Sequence, residues 1–77
     1  NIRGGKQMKQ VKATMAGNVW KVLVKVGDVV TEDQDIVILE SMKMEIPIST
    51  EVAGSIQEVK VAEGNFVNEG DVIVVIK

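Results

Sequence analysis

The chain has 77 residues, with nine basic and eleven acidic side chains and neither cysteine nor histidine. Its length allows a single domain. A net charge of −2 argues against a nucleic-acid-binding protein, which usually carries a basic excess on one face. The two missing residue types exclude disulfides, thiolate or imidazole metal ligands and serine–histidine–aspartate catalysis, so an independent enzyme is poorly supported.

The first ten residues are polar, contain Arg3, Lys6 and Lys9, and show no apolar periodicity. This pattern predicts a flexible tail or linker over residues 1–10 and one domain over residues 11–77. No apolar run approaches the length of a membrane span, and no signal-peptide core is present near the start. We therefore expect a cytoplasmic protein without a membrane partner.

From residue 11 onward the chain repeats itself without gaps. Met15–Val19 returns as Val52–Ile56, 37 positions later, and the same offset aligns Gly27 with Gly64. Aligned glycines indicate equivalent turns, because glycine is favoured where φ is positive. The sequence therefore predicts two copies of one supersecondary unit, related by a pseudo-two-fold axis.

Each copy has the alternating pattern of half-buried strands. In the second copy the apolar positions include Val59 and Val61. In the first copy we expect one buried face made of Trp20, Val22, Val24 and Val26. Glycine-containing dipeptides lie between these alternating segments and indicate turns. The prediction is an all-β fold, a short-stranded sandwich or flattened barrel with about four strands per copy.

The local folding rules fail at one hairpin. Ile36–Glu40 is a strong strand and Glu45–Ile48 a plausible returning strand, which places Met42 and Lys43 at the tip. Tight hairpin turns favour Asn-Gly or Gly-X, because φ there is often positive. Positions that break such rules are candidates for function. The tip joins the two copies, so the pseudo-symmetry places it at one end of the domain and both chain termini at the other.

Lys43 is then an exposed amine between two exposed thioethers. Another enzyme could acylate it, which would remove the charge and attach a long arm. Met42 and Met44 would give that enzyme adaptable apolar contacts. The alternative from the residues alone is an ordinary solvated lysine.

The segment Glu40-Ser41-Met42-Lys43-Met44 resembles the biotin-attachment motif of the biotinyl/lipoyl carrier-domain family, and the resemblance extends from about Val11 to Lys77. It implies a flattened β-barrel or sandwich of two four-stranded antiparallel sheets with quasi-two-fold symmetry. It also implies that Lys43 is biotinylated, while Met42, Met44 and Glu40 are recognised by the ligase and other partners.

The function implied by this resemblance is that of a biotin carboxyl carrier domain. A biotin protein ligase would attach biotin to Lys43, and the monomeric, non-catalytic domain would shuttle carboxybiotin between a biotin carboxylase and a carboxyltransferase. Lipoyl carriers of the family typically have Asp before the lysine and a small residue after it, whereas both neighbours here are Met. A lipoyl carrier and an unmodified β-barrel interaction module are the alternatives.

The sequence departs from the family pattern in two ways. Asp33 stands where the family often has Gly, as the second copy does at Gly70. Asp tolerates the left-handed region, so we expect the turn to be kept. Neither copy has an insertion, so the protruding thumb of some acetyl-CoA carboxylase carriers is not expected, which favours carriers of acyl-CoA, pyruvate or decarboxylase systems or a stand-alone carrier. The cluster Glu32, Asp33 and Asp35 matches no calcium loop and is interpreted as solvated turn residues.

Overall fold

The computed structural model describes residues 8–77, and the regular structure in this range is entirely β-strand. The strands are β1 (Lys9–Lys12), β2 (Gly17–Val22), β3 (Val29–Val30), β4 (Asp35–Ser41), β5 (Met44–Ser49), β6 (Gly54–Val59), β7 (Phe66–Val67) and β8 (Val72–Ile76). Within residues 8–77, no helix has the length and apolar character needed to span a bilayer. The predicted all-β class is confirmed.

The strands form two four-stranded antiparallel sheets, ordered β1-β8-β6-β3 and β5-β4-β2-β7. The 37-residue offset superimposes β2, β3, β4 on β6, β7, β8 and relates β5 to β1. With the copies as β1–β4 and β5–β8, each sheet takes its two central strands from one copy and its two edge strands from the other. This arrangement confirms the predicted two-sheet architecture and its quasi-two-fold symmetry.

The first strand begins inside the segment predicted to be a tail. Lys9 pairs with Ile76 and Gln10 with Val75. Backbone hydrogen bonding to β8 therefore makes these two residues part of β1, although their side chains show no apolar periodicity. Residues 1–7, the remainder of that predicted tail, lie outside the described residues. The pairing of β1 with β8 also brings both described ends of the chain together, at the place that corresponds to the β4–β5 hairpin.

The turns of the two copies are equivalent at the level of single hydrogen bonds. The Lys25 amide donates to the Asp28 carboxylate at 3.0 Å, and the Ala62 amide donates to the Asn65 side-chain oxygen at 2.9 Å. In each of these turns the fourth residue's amide also donates to the first residue's carbonyl oxygen, at 3.0 Å. A second pair of matching side-chain turns is formed by Thr31 with Gln34 and by Asn68 with Asp71. The predicted equivalence of the turns is confirmed.

Asp33 adopts the conformation that its counterpart glycine adopts. Its φ is 67° and that of Gly70 is 91°, both in the left-handed region. The Asp33 amide donates to the Thr50 carbonyl oxygen at 2.7 Å, and the Gly70 amide donates to the Ala13 carbonyl oxygen at 2.9 Å. The turn is therefore kept despite the missing glycine, as the sequence predicted.

The core between the sheets is almost entirely Val, Ile and Leu. Its fully buried members are Val19, Val30, Ile36, Val37, Leu39, Ile56, Ile73, Val74 and Ile76. These side chains from both copies close the space between the sheets, and Val59 and Val61 pack against this cluster as predicted. Burial of apolar surface of this kind contributes about 25 cal/mol per Å² to stability.

The predicted buried face of the first copy is wrong at two positions. Trp20 is 41% exposed and Val26 62% exposed, whereas Val19 on the opposite face is buried. At Trp20 the reason is a β-bulge: the register moves from Val19–Leu39 to Lys21–Ile38, so one extra residue changes which side chains face inward. Val26 lies beyond the end of β2 at Val22. Val24 does lie in the core.

The close approach of neighbouring backbone at Gly54 and Gly17 gives a matched pair of test positions. A Cβ at Gly54 would lie 2.6 Å from the Lys77 carbonyl oxygen, whereas one at Gly17 would lie 3.0 Å from the Glu40 carbonyl oxygen. We expect Gly54→Ala to lower the free energy of unfolding by about 2–3 kcal/mol and Gly17→Ala by about 1 kcal/mol, because overpacking forces the backbone apart. Urea denaturation measures both, and equal losses would contradict the asymmetry.

Candidate functional site at the β4–β5 hairpin

The hairpin closes in a two-residue turn whose residues are unsuited to it. Ser41 and Met44 are the last paired residues, and Met42 and Lys43 between them have φ values of 52° and 65°. Two consecutive left-handed residues are typical of a type I′ turn, which normally contains Asn-Gly. A side chain with a Cβ costs about 1–2 kcal/mol in this region. The predicted conflict at the tip is therefore real.

The side chains of the tip point into solvent. Met42 is 91% exposed, Met44 is 62% exposed, and Lys43 is also exposed. Among residues 8–77 the one ion pair is Lys60–Glu58, with Nζ and Oε2 3.1 Å apart, so the Lys43 amine has no carboxylate partner there. An enzyme could take up this amine without first breaking an ion pair.

The base of the hairpin is firmly anchored. β4 lies inside its sheet between β5 and β2, and Ile36, Leu39 and Ile48 at the foot of the hairpin are buried. Pro47 lies in β5, which is an edge strand, where the missing amide donor removes no ladder hydrogen bond. The anchored strands hold the two turn residues in their strained conformation, so the tip is a rigid platform rather than a flexible loop.

Two glutamates face each other just below the tip. Glu40 of β4 pairs directly with Glu45 of β5, and both are exposed. Like charges directly opposite each other in a sheet destabilise it by a fraction of a kcal/mol, so this pair is not explained by stability. The sequence singled out Glu40 but missed Glu45, because only the strand register shows that the two carboxylates are neighbours.

No metal site accompanies the hairpin. Within the part of the chain that the structure describes, no three acidic side chains come together in a group able to hold a metal ion. Of the cluster considered in the sequence, Glu32 and Asp33 lie in the tight turn before β4, and Asp35 is the first residue of β4.

Comparison with known proteins agrees with this geometry. The family model Biotin_lipoyl, described as "Biotin-requiring enzyme", matches residues 9–76. The chain belongs to the biotin/lipoyl attachment family. Its relatives include the biotin/lipoyl attachment protein of Bacillus subtilis, 59% identical over 63 residues, a match that covers 82% of this chain and 86% of that protein.

Other relatives are larger. The biotin carboxyl carrier protein of Streptococcus mutans is 47% identical over 64 residues, which are 83% of this chain and 49% of that protein. The solved urea carboxylase of Kluyveromyces lactis superimposes with a TM-score of 0.86 at 25% identity, over 97% of this chain and 7% of that one. The chain spans about half of the carrier protein and a small part of the carboxylase. It is a carrier domain of this family.

The strain at the tip gives a first prediction for this site. Replacing Met42 with Asn and Lys43 with Gly in one variant should raise the free energy of unfolding by about 1–2 kcal/mol, because both residues suit a type I′ turn. The melting temperature should rise by several degrees. A variant less stable than the parent would show that the tip is not strained.

The exposure of the two methionines gives a second prediction. Met42→Ala combined with Met44→Ala should change the free energy of unfolding by less than about 0.5 kcal/mol, as expected for surface substitutions away from packed contacts. Leu39→Ala, in the core below, is the matched control and should cost about 2–5 kcal/mol. Thermal melts of both variants measure the difference, and a large loss in the methionine variant would contradict the assignment of these side chains to partner contacts.

Proposed function

We propose that Lys43 is the attachment site of a covalently bound biotin and that the domain is a biotin carboxyl carrier. The observation that carries this proposal is the position of Lys43, an exposed amine on a strained, anchored turn between two exposed methionines. The family match and the names of the relatives support biotin as the group attached. When attached, biotin supplies a ring nitrogen that carries a carboxyl group from one active site to another.

The attachment step requires a separate enzyme. The Lys43 Nζ attacks the acyl carbon of biotinyl-AMP, an amide bond forms, the bond to phosphate breaks and AMP leaves. A base in the ligase must accept the proton, because an ammonium is a poor nucleophile and no carboxylate among residues 8–77 lies within ion-pair distance of Nζ. The product amide has no charge, so acylation removes a positive charge from beside Glu40 and Glu45.

The hairpin residues bind and orient rather than catalyse. Met42 and Met44 flank the amine with adaptable apolar side chains, which suit contact with several different partner surfaces. Glu40 adds a negative charge beneath the tip, which a basic partner surface can recognise. The rigid turn fixes the direction in which the Lys43 side chain leaves the domain, so the partner meets one geometry instead of an ensemble.

The partners in this proposal are a biotin protein ligase, a biotin carboxylase and a carboxyltransferase. The domain itself is monomeric and non-catalytic. Presentation of the attached group on a carrier raises its effective concentration at each active site, so a weak domain contact is sufficient. The names of relatives such as a pyruvate carboxylase support carboxylases as the class of assembly. A cytoplasmic location belongs to the same proposal.

Intact-mass measurement tests the proposal directly. Co-expression with a biotin protein ligase in biotin-fed cells should add one biotinyl group to the parent chain and none to Lys43→Arg. Arginine keeps the charge but has no amine that can be acylated. Lys60→Arg is the matched control, since this exposed lysine should be replaceable without loss of the added mass.

Three results would contradict the proposal. Biotin on the Lys43→Arg variant would place the attachment site elsewhere. A lipoyl or octanoyl mass would identify a lipoyl carrier. A parent chain left unmodified, with the ligase shown to be active on a known carrier, would favour an unmodified interaction module.

A further inference from the structure

One outer sheet face carries large apolar side chains that the core does not use. We name it the aromatic face, formed by Trp20 and Leu23 from β2 and the residues after it, Ile38 from β4 and Phe66 from β7. Phe66 is 61% exposed and Leu23 47% exposed, and Ile38 is half-buried. Exposed aromatic side chains in such a group are typical of interaction surfaces.

The strand register places this face next to the hairpin. Glu45, Glu40, Asn18 and Phe66 form one continuous row across the four strands, each paired with the next. Trp20 lies two positions beyond Asn18 on the same strand, so it is a diagonal neighbour of Phe66. Trp20 is the extra residue of the bulge, between the pairs Val19–Leu39 and Lys21–Ile38. The aromatic face therefore begins directly beneath the acidic pair and the Lys43 tip.

The internal repeat supplies a control for what the fold requires. At the offset of 37 residues, the counterparts on the other sheet of Trp20, Leu23 and Phe66 are Gln57, Lys60 and Val29. The backbone is the same at both sets of positions, down to a matching bulge between Ile56 and Glu58 of β6. Because the second face is built without a large ring, the fold itself does not require Trp20 or Phe66.

The aromatic face also differs in charge from the equivalent outer face of the other sheet. Glu40 corresponds to Lys77 at the offset of the repeat, and Glu63 corresponds to Val26. The Glu63 carboxylate accepts a hydrogen bond from the Val22 amide at 3.2 Å, which holds it at the border of the aromatic face. Glu40, Glu45 and Glu63 therefore lie along the border of this face, while the Lys21 ammonium lies over the Trp20 ring, 5.6 Å from its centroid. A complementary partner surface is apolar at its centre and carries Lys or Arg around it.

We propose that the aromatic face is the docking surface for the enzyme that acylates Lys43, whose matching surface is apolar with a basic border. This inference rests on the proposed function. Before acylation the reactive amine sits on one lysine side chain at a rigid tip, so the enzyme must bring its own body against the domain to reach it. After acylation the longer arm lets the attached group reach an active site without that contact.

The test replaces residues of the aromatic face with their counterparts from the other sheet. We expect Trp20→Gln combined with Phe66→Val to lower kcat/KM for acylation by a biotin protein ligase at least tenfold, mainly through KM. Aromatic side chains at the centre of an interface commonly contribute this much. Acylation of the purified apo-domain is followed by intact mass at several domain concentrations, with biotin and ATP supplied. The reciprocal variant, Gln57→Trp combined with Val29→Phe, is the matched control and should be acylated at the parent rate.

The outcomes separate this inference from the proposed function. Failure of the parent chain to be acylated would refute the function itself. Acylation of the folded double variant at the parent rate would overturn the docking surface and leave the proposed function intact. If the biotinylated form of that variant were then carboxylated slowly, the face would be assigned to the carboxylase, which also overturns this inference. Equal slowing of both double variants would overturn it as well. The single variant Phe66→Val, which changes one exposed side chain, keeps the test valid if the double variant does not fold.

Discussion

The exchange of two very short strands between the sheets is the constraint on which the rest of this structure depends. β3 pairs with β6 and β7 pairs with β2, so each copy of the repeat completes the sheet of the other. Backbone hydrogen bonds at the neighbouring turns strengthen the exchange, from the Gly27 amide to the Ile56 carbonyl oxygen at 2.9 Å and from the Gly64 amide to the Val19 carbonyl oxygen at 2.8 Å. Neither copy can enclose its Val and Ile side chains alone. The anchored foot of the hairpin, and thus the position of Lys43, follows from this mutual closure.

The internal repeat made much of the fold predictable, because residues that must turn or face inward recur at a fixed offset. The left-handed turn at Asp33 and the strained tip at Met42 and Lys43 were both anticipated from residue type and position. The outward direction of Trp20 was not, since a bulge depends on hydrogen-bond register, which a period-two pattern does not contain. The same lack of register left Glu45 out of the predicted site, because only the strand pairing places it opposite Glu40. The start of β1 was predicted to be part of the tail, because Lys9 and Gln10 join the strand through their backbone alone.

The functional features proposed for this domain lie where its symmetry is broken. Turns and core positions match between the copies, so they are explained by folding. The hairpin tip connects the copies and corresponds to the chain ends, so its unfavourable residues have no equivalent that folding demands. Trp20 and Phe66 differ from Gln57 and Val29 although their backbones agree. In a duplicated fold, comparison of one half with the other thus separates residues kept for stability from residues kept for a partner, without any further sequence.

The position of β8 has a consequence for the order of events during protein synthesis. This strand lies between β1 and β6 at the centre of its sheet, and it is the last of the eight strands to leave the ribosome. Until it emerges, β1 and β6 lack their shared neighbour and the opposite sheet has nothing to pack against. A modifying enzyme that reads an assembled sheet face therefore meets no substrate on a nascent or truncated chain. An enzyme with this requirement would leave chains that end before β8 unmodified, and no cofactor would be attached to domains that lack their central strand.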